Sequence, residues 1–267
     1  MDERPIGLFD SGFGGLTVAR AVIDLLPDEN LVYIGDTGRY PYGPRPLDQV
    51  RRFAGQITAK LVTDHDAKLV VVACNTAAAA GMAPISVPTI SVIDPGVRAA
   101  LRATSSGRIG VIGTVGTVSS GAYQRSFAAA DSDGRINLTC AACPGFVEFV
   151  ERGETGSDQV YVLAERLLAP VREAKCDTLL LGCTHYPFLA RTISDVVGRD
   201  VVLVSSADET AFELRALLGD LGLARTGEGR PRHTWISSGD VATFRDLGRR
   251  LLGPEISEVQ AWKVGPQ

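Results

Sequence analysis

The sequence lacks the long apolar run of a membrane protein and the excess of positive charge of a nucleic-acid binder. No apolar stretch in its 267 residues reaches the roughly 20 residues that cross a bilayer. Acidic residues outnumber basic ones, 31 against 27, for a net charge of −4. A non-specific binder of nucleic acid or of a membrane surface usually needs a basic face. The composition therefore predicts neither a nucleic-acid partner nor membrane association.

The sequence predicts neither a secretion signal nor a disulfide pattern. Met1 is followed by Asp2, Glu3 and Arg4 and then directly by a strand-like run, which predicts no secretory segment. The five cysteines are an odd number in a chain too long to need covalent cross-links. This favours reduced thiols in the cytoplasm, some of which can be reactive.

What the sequence does contain is an alternation of apolar runs and helix-length segments. Runs rich in Val, Ile and Leu predict strands at 5–9, 31–34, 69–73, 89–93, 108–112, 136–139, 178–182, 201–204 and 232–236. Segments between them predict helices, among others at 15–26, 46–63, 118–130, 158–174 and 208–218. Continuous apolar runs are typical of strands buried on both faces. The alternation predicts an α/β fold with parallel sheets and helices on either side.

The chain also repeats itself. PIGLFDSGFGG at 5–15 matches RIGVIGTVGTV at 108–118, and KLVVVACNT at 68–76 matches DTLLLGCTH at 177–185. A third pair, LVYIGDT at 31–37 and INLTCAA at 136–142, matches more loosely at a similar separation along the chain. These matches predict two related, pseudosymmetric α/β halves, and segment 207–267 reads as a further helix–strand–helix–strand.

Each half carries one cysteine, Cys74 or Cys183, at the carboxyl end of an equivalent strand. Open α/β sheets bind ligands outside that end, so two facing halves would point both thiols into one crevice. We predict a first domain from 1–95 plus 208–267, completed by the C-terminal segment, and a second domain from 96–207.

Two thiols in one crevice favour a two-base reaction. The thiolate is the reactive form and a helix N-terminus stabilises an anion, so each sulfur is expected to lie between thiol and thiolate near neutral pH. Cys183 with His185 alone would be typical of a nucleophile and its base. A matched pair instead suits inversion of a stereocentre, where one group removes a proton and another delivers one to the opposite face.

The polar residues near these cysteines fit an amino-acid substrate. Asp10 can take an ammonium group or assist proton movement, and Ser11 with the adjoining loop amides can take a carboxylate. No pyridoxal-type lysine motif stands out, which favours a mechanism without a cofactor. The other candidate contacts are neutral donors and residues of the PYG loop: Tyr42, Gly43, Asn75, Thr76, Thr117 and Thr184.

On these residues the chain resembles the glutamate racemases of the cofactor-independent aspartate/glutamate racemase superfamily. The resemblance covers nearly the whole chain. Both cysteine motifs together with DSGFGGLTV are highly specific, whereas PYG alone is weak. The motifs are GLFDSGFGGLTV at 7–18, PYG at 41–43, ACNTA at 73–77, CP…FV…VE from Cys143 to Glu151, and LGCTHYP at 181–187.

The resemblance implies that Cys74 and Cys183 are the two proton donors and acceptors, with Cys183 acting on the L-enantiomer and Cys74 on the D-enantiomer. It implies that Asp10, Glu151 and His185 tune the thiols. The implied substrate contacts are Asp10, Ser11, Tyr42, Gly43, Asn75, Thr76, Thr184 and His185.

The resemblance further implies a cytoplasmic, often homodimeric enzyme, without cofactor or metal, that interconverts L- and D-glutamate for peptidoglycan. Some members of the family are reported to inhibit DNA gyrase, which makes gyrase a candidate secondary partner. Two positions depart from the family pattern: Ala78, where serine is common, and Glu148, where proline is frequent. Glu148 and Glu151 are thus both candidates for the auxiliary acid, and the spacing to Cys183 favours Glu151.

Three alternatives remain open on the sequence. In a dinucleotide-binding enzyme, GFGG would hold a pyrophosphate and Asp36 a ribose, although Thr17 replaces the third glycine and Asp10 would repel the phosphates. A sister activity, racemisation of aspartate or of a hydantoin, depends on a pocket depth that the sequence does not reveal. A protein-binding module, such as one acting on gyrase, has no residue signal.

The remaining cysteines are expected to be core thiols. Cys140 and Cys143 form a CxxC that could be half of a zinc site. No second pair lies at a suitable spacing, and Cys176 stands alone.

Overall fold

The computed structural model describes residues 2–227 and 229–264, in which ten strands form two parallel sheets. The first sheet has the order β10-β9-β2-β1-β3-β4, with β1 Ile6–Asp10, β2 Leu31–Gly35, β3 Leu69–Val72, β4 Thr89–Ser91, β9 His233–Ser237 and β10 Val259–Ala261. The second has the order β6-β5-β7-β8, with β5 Arg108–Gly113, β6 Asn137–Ala142, β7 Thr178–Gly182 and β8 Val202–Ser205. The predicted parallel α/β fold is confirmed.

The helices are α1 Leu16–Leu25, α2 Leu47–Thr63, α3 Asn75–Ala80, α4 Ile93–Ala103, α5 Val115–Ser119, α6 Ala122–Ala130, α7 Phe146–Arg152, α8 Asp158–Leu167, α9 Ala169–Glu173, α10 Ala190–Val197, α11 Ser206–Asp220 and α12 Val241–Leu251. Two helices predicted as continuous are divided. The segment 118–130 breaks at Gly121, whose left-handed φ of 70° ends α5 and begins α6. The segment 158–174 breaks at Leu168, between α8 and α9.

The strand order reproduces the repeat that the sequence predicts. The series β2-β1-β3-β4 corresponds to β6-β5-β7-β8. Even the register is shared, because Phe9 pairs with Val72 in one sheet and Ile112 pairs with Leu181 at the equivalent places in the other. The two sheets therefore present equivalent carboxyl edges.

Both sheets are covered by helices on both faces, as the apolar runs of the strands require. In β1, Ile6 and Leu8 pack into the cluster with α1 and α11, whereas Phe9 packs into the cluster with α2 on the opposite face. In β5, Ile109 and Ile112 likewise enter different clusters. The period of two along each strand thus divides the core into layers.

Two helices join the halves. α4 packs on β7 and β8 and also on α11, and α11 returns along α1 to the first sheet. β9 and β10 then extend that sheet. The predicted domain boundaries, 95/96 and 207/208, fall inside α4 and α11, and the division into domains stays a prediction. Within the described residues, no helix is both long and apolar enough to cross a membrane.

Candidate active site

The carboxyl ends of β1, β3 and β7 meet at one cavity of about 120 Å³. This volume lies well below the roughly 300–1,000 Å³ of pockets for drug-sized ligands, so the cavity suits a small metabolite. It is lined by residues from both sheets, as expected for a crevice between two facing halves. Ten of the twelve predicted site residues line it: Asp10, Ser11, Tyr42, Gly43, Cys74, Asn75, Thr76, Cys183, Thr184 and His185.

Cys74 enters the cavity from the first sheet. It follows β3 as the N-cap residue of α3, and its sulfur lies 3.6 Å from the Ser11 hydroxyl. Burial and the nearby Asp10 carboxylate raise the pKa of Cys74 to about 12, although amide hydrogen bonds from Ala77 and Ser11 oppose the rise. The expectation of a sulfur that is half ionised near neutral pH is therefore wrong for Cys74, because desolvation outweighs the short helix.

Cys183 enters from the second sheet, directly after β7. The expected helix N-terminus is absent there, since a turn and the 3₁₀ segment Tyr186–Leu189 precede α10. A histidine takes the place of the helix. His185 Nδ1 lies 3.9 Å from the Cys183 sulfur, and His185 Nε2 lies 3.3 Å from Glu151 Oε1.

His185 is the cationic group of the cavity. Burial lowers its pKa, but hydrogen bonds to Cys183 and Glu151 outweigh this effect and raise the pKa of His185 to about 10. As an imidazolium it donates from both ring nitrogens, one toward the sulfur and one toward Glu151. Glu151 does not line the cavity and acts from behind His185, whereas Glu148 is exposed at the cavity wall. The geometry thus favours Glu151 as the acid that pairs with His185.

Asp10 lies near Cys74 and binds Thr184, the residue that follows Cys183. Its carboxylate accepts hydrogen bonds from the Gly12 amide at 2.8 Å and from the Thr184 hydroxyl at 3.3 Å. Burial raises the pKa of Asp10, against the opposing charge of His185. The carboxylate therefore joins the end of β1 in the first half to the turn Cys183-Thr184-His185, the CTH turn, of the second.

Three threonines connect the halves beside Cys74. Thr76 Oγ1 lies 2.9 Å from Thr114 Oγ1 and 3.3 Å from Thr117 Oγ1, and the latter two oxygens are 3.0 Å apart. Thr117 is fully buried and does not line the cavity, so it supports Thr76 and Thr114 from behind. The predicted contact of Thr117 with substrate stays a prediction.

The PYG loop lines the cavity, and Gly43, which has no side chain, does so with its backbone. The Tyr42 ring is buried against Phe53, with 5.6 Å between ring centroids, and its hydroxyl donates to Asp36. No backbone carbonyl or side chain of the described residues accepts a hydrogen bond from the amides of Tyr42 and Gly43. Free amides of this kind suit an anion such as a carboxylate.

Asn75 presents an unpaired acceptor. Its amide nitrogen donates to the Tyr123 hydroxyl at 2.8 Å, while its buried Oδ1 has no partner in the described part of the chain. Buried polar atoms in folded proteins are nearly always paired. An unpaired one in the wall of this cavity indicates a bond that a ligand or water completes.

Sequence reasoning missed several residues of the wall: Tyr40, Thr114, Val115, Cys143 and Tyr186. Thr114 was recoverable, because it occupies the repeat position of Ser11. Tyr40 had no signal beyond its place next to PYG. Its buried hydroxyl has no hydrogen-bond partner in the described residues, and burial together with Glu151 raises its pKa well above the ordinary value.

The CxxC pair does not converge. Cys140 lies in β6 near Cys176, whereas Cys143 lines the cavity near Cys183. Burial raises the pKa of Cys143 to about 12. Over residues 2–227 and 229–264, no group of three or more His, Cys, Asp or Glu side chains is arranged to hold a metal ion.

Comparison with known proteins agrees with this geometry. A profile of the Asp/Glu/hydantoin racemase family matches residues 16–213. The chain is 50% identical over 264 residues to a glutamate racemase of Acidothermus cellulolyticus, covering 97% of this chain and 99% of that protein. It superposes on a glutamate racemase isoform of Bacillus anthracis with a TM-score of 0.91 and 39% identity, over 99% of this chain and 98% of the other.

A glutamate racemase of Francisella tularensis, solved in complex with D-glutamate, matches with a TM-score of 0.89 and 31% identity over 98% of each chain. The fold and the cavity define an α/β isomerase that draws its site from two related halves. The chain belongs to the Asp/Glu/hydantoin racemase family.

Proposed function

We propose that this enzyme interconverts L-glutamate and D-glutamate by proton transfer at Cα, with Cys74 and Cys183 as the two acid/base groups. The observation that carries the proposal is the entry of two free thiols into one small cavity from equivalent strand ends of two sheets. Inversion needs a base on one face of Cα and an acid on the other, and two such thiols meet that need.

The proposed reaction balances with protein groups alone. The Cys183 thiolate takes the Cα proton of L-glutamate and becomes a thiol, and the electron pair on Cα spreads into the substrate carboxylate. The Cys74 thiol then delivers its proton to the opposite face and becomes a thiolate. One C–H bond breaks, one forms, and the negative charge moves from one sulfur to the other. D-Glutamate reacts by the reverse path.

The unlike surroundings of the sulfurs support this direction. The pKa of Cys74, about 12, keeps that sulfur protonated in the unliganded site, as a proton donor requires. Cys183 has a basic side chain beside it instead, because His185 Nδ1 lies 3.9 Å from its sulfur. These surroundings support the assignment of Cys183 as the base toward L-glutamate and of Cys74 as the acid.

Substrate binding is assigned by charge and donor type. The free amides of Tyr42 and Gly43 and the hydroxyls of Ser11, Thr76 and Thr184 suit the two carboxylates. Asp10 and the unpaired Asn75 Oδ1 suit the ammonium group. Donors that are fixed before the reaction stabilise the charge that develops on the substrate carboxylate without reorganising.

Glutamate is favoured over aspartate or a hydantoin by the relatives. The three relatives described above match nearly the full length of the chain and are glutamate racemases, and one of them was solved with D-glutamate. We further propose, from the same resemblance, a cytoplasmic role in supplying D-glutamate for peptidoglycan and assembly as a homodimer. Binding of DNA gyrase stays a prediction, which a supercoiling assay with stoichiometric protein tests.

The test is racemisation of L-glutamate in D₂O without added cofactor, followed by circular dichroism and proton NMR. We expect loss of optical activity together with solvent deuterium at Cα. An inert L-glutamate would refute the proposed substrate, and parallel reactions with L-aspartate would show whether the sister activity takes its place.

Serine variants separate the two sulfurs. In Cys74→Ser, the remaining thiolate should still exchange the Cα proton of L-glutamate, but inversion should fall by orders of magnitude. In Cys183→Ser, the same exchange without inversion should be confined to D-glutamate. Wild-type racemisation by either folded variant would exclude a two-thiol mechanism, and exchange of the opposite enantiomers would reverse the assignment of the two cysteines.

A further inference from the structure

Asp36 is a buried carboxylate at the edge of the active site that the proposed reaction does not use. It follows the last residue of β2, and its amide donates to the Asp10 carbonyl at 3.0 Å. Its side chain is fully buried. A buried carboxylate is costly unless its oxygens are paired, so the partners of Asp36 show what it does.

Those partners belong to the protein. One carboxylate oxygen accepts from Arg39 Nε at 2.7 Å and from the Tyr42 hydroxyl, and the other accepts from Ser238 Oγ at 2.5 Å. No oxygen is left facing open space for a ribose. This pairing also removes the observation that favoured a dinucleotide-binding enzyme.

The pairing has a defined geometry because Arg39 is itself fixed. Its guanidinium lies over the Phe53 ring, 4.2 Å from the centroid, and 5.6 Å from the centroid of Trp262. Ser238 follows β9 in the C-terminal part of the chain. Asp36 is therefore a junction between α2, the C-terminal segment and the loop that contains Tyr42.

We propose that Asp36 is a positioning residue that holds the loop 40–44 against the cavity through the Tyr42 hydroxyl. This inference rests on the proposed function, which assigns the free amides of Tyr42 and Gly43 to a substrate carboxylate. The Tyr42 hydroxyl donates to Asp36, while the next residue, Gly43, lines the cavity with its backbone. The hydrogen bond from the Tyr42 hydroxyl to Asp36, a tether on the side chain, thus sets the position of the Tyr42 and Gly43 amides.

The tether should persist over the working pH range. Burial and the Asp36 carboxylate raise the pKa of Tyr42 well above its ordinary value, so its hydroxyl stays a proton donor. The loop has a second link to the other half, where the Gly116 amide donates to the Gly43 carbonyl at 2.9 Å. Loss of the Asp36 contact should therefore shift the loop rather than release it.

A double-mutant cycle tests the inference with Asp36→Asn, Tyr42→Phe and the combined variant. Each single variant should lower kcat/KM for glutamate, on the order of 10²-fold for a misplacement near 1 Å, and mainly by raising KM. The combined variant should be little worse than either single variant, because both changes break the same contact. The melting temperature should not follow this pattern. Asp36→Asn also deprives Arg39 of its partner, so it should lower the melting temperature both in the wild type and in Tyr42→Phe.

Ser238→Ala is the matched control. It removes another hydrogen bond to the same carboxylate but leaves the Tyr42 contact intact, so KM should stay at the wild-type value. Independent, multiplicative losses in kcat/KM would overturn the inference. So would a wild-type KM for Tyr42→Phe, which settles the matter even where Asp36→Asn does not fold. A wild-type protein that fails to racemise glutamate would instead refute the proposed function.

Discussion

Gly14 is the position where one added methyl group should disable the site. A Cβ on Gly14 would lie 2.2 Å from Thr184 Oγ1 and 2.4 Å from His185 Nδ1. In folded proteins, a Cβ atom essentially never lies within 3.0 Å of a non-bonded heavy atom of another residue. The CTH turn and the loop after β1 thus meet at a distance that only glycine permits.

Gly14→Ala must push both neighbours by roughly 1 Å, a displacement that can cost on the order of 10²-fold in rate. The atoms displaced are the ones that bind Asp10 and the Cys183 sulfur. Overpacking should also cost about 1–3 kcal/mol of stability. We expect kcat/KM to fall far more than this loss of stability explains, because the folded protein carries a displaced His185.

Gly55→Ala is the control. Gly55 is an exposed residue of α2 with no atom within 4 Å of the added Cβ. Replacing a helical glycine should stabilise the protein by about 0.5–1 kcal/mol and leave kcat/KM unchanged. The assays are racemisation by circular dichroism and unfolding in denaturant. A Gly14→Ala enzyme with wild-type kcat/KM would refute the argument that catalysis needs His185 at its observed place.

Two further predictions follow from buried charges. The pKa of His185, about 10, is above its ordinary value of 6.5. Its contribution to stability is therefore complete below about pH 6.5 and is lost as pH rises through 10. We expect kcat to fall over the same alkaline range, and the same fall in a His185→Asn enzyme would exclude His185 as its cause. Lys68 Nζ lies 2.6 Å from Glu29 Oε2 with both side chains buried. Lys68→Met should therefore lower the free energy of unfolding by about 3–5 kcal/mol in a denaturant titration. A Tm equal to that of the wild type would contradict this.

The sheets were predictable because their strands are buried on both faces. Runs such as LVVV in β3 need apolar residues at every position, since Leu69 and Val71 face one cluster and Val70 and Val72 the other. The short helices were harder. α3 has six residues, and α4 begins at Ile93, inside a run that the sequence assigned to a strand. A short apolar segment does not distinguish a strand from a buried helix.

Most of the residues that line the cavity were predictable from the sequence, but the pKa values in it were not. Repeat and motif indicate where Cys74 lies, but its pKa depends on how much water reaches the sulfur and how near Asp10 comes. The motif also marks Tyr42 without revealing that its hydroxyl turns away toward Asp36. Tyr40 joins the wall only through the path of the loop. Burial and loop path arise from tertiary packing, which no local pattern encodes.

The two halves have kept their sulfurs and changed the neighbours of those sulfurs. Asp10 occupies the repeat position of Gly113, and His185 occupies that of Thr76. The Asp10 carboxylate therefore lies near Cys74 and helps to raise the pKa of that thiol, whereas His185 lies beside Cys183. L- and D-glutamate have equal free energies in water, so kcat/KM must nevertheless be the same in both directions. The asymmetry can appear only as a matched difference in kcat and KM. In the proposed mechanism, L-glutamate needs the state in which Cys74 carries the proton, whereas D-glutamate needs the state in which that proton has moved to Cys183. For the proposed two-thiol reaction we therefore expect unequal turnover numbers with equal kcat/KM, which initial rates with L- and D-glutamate measure.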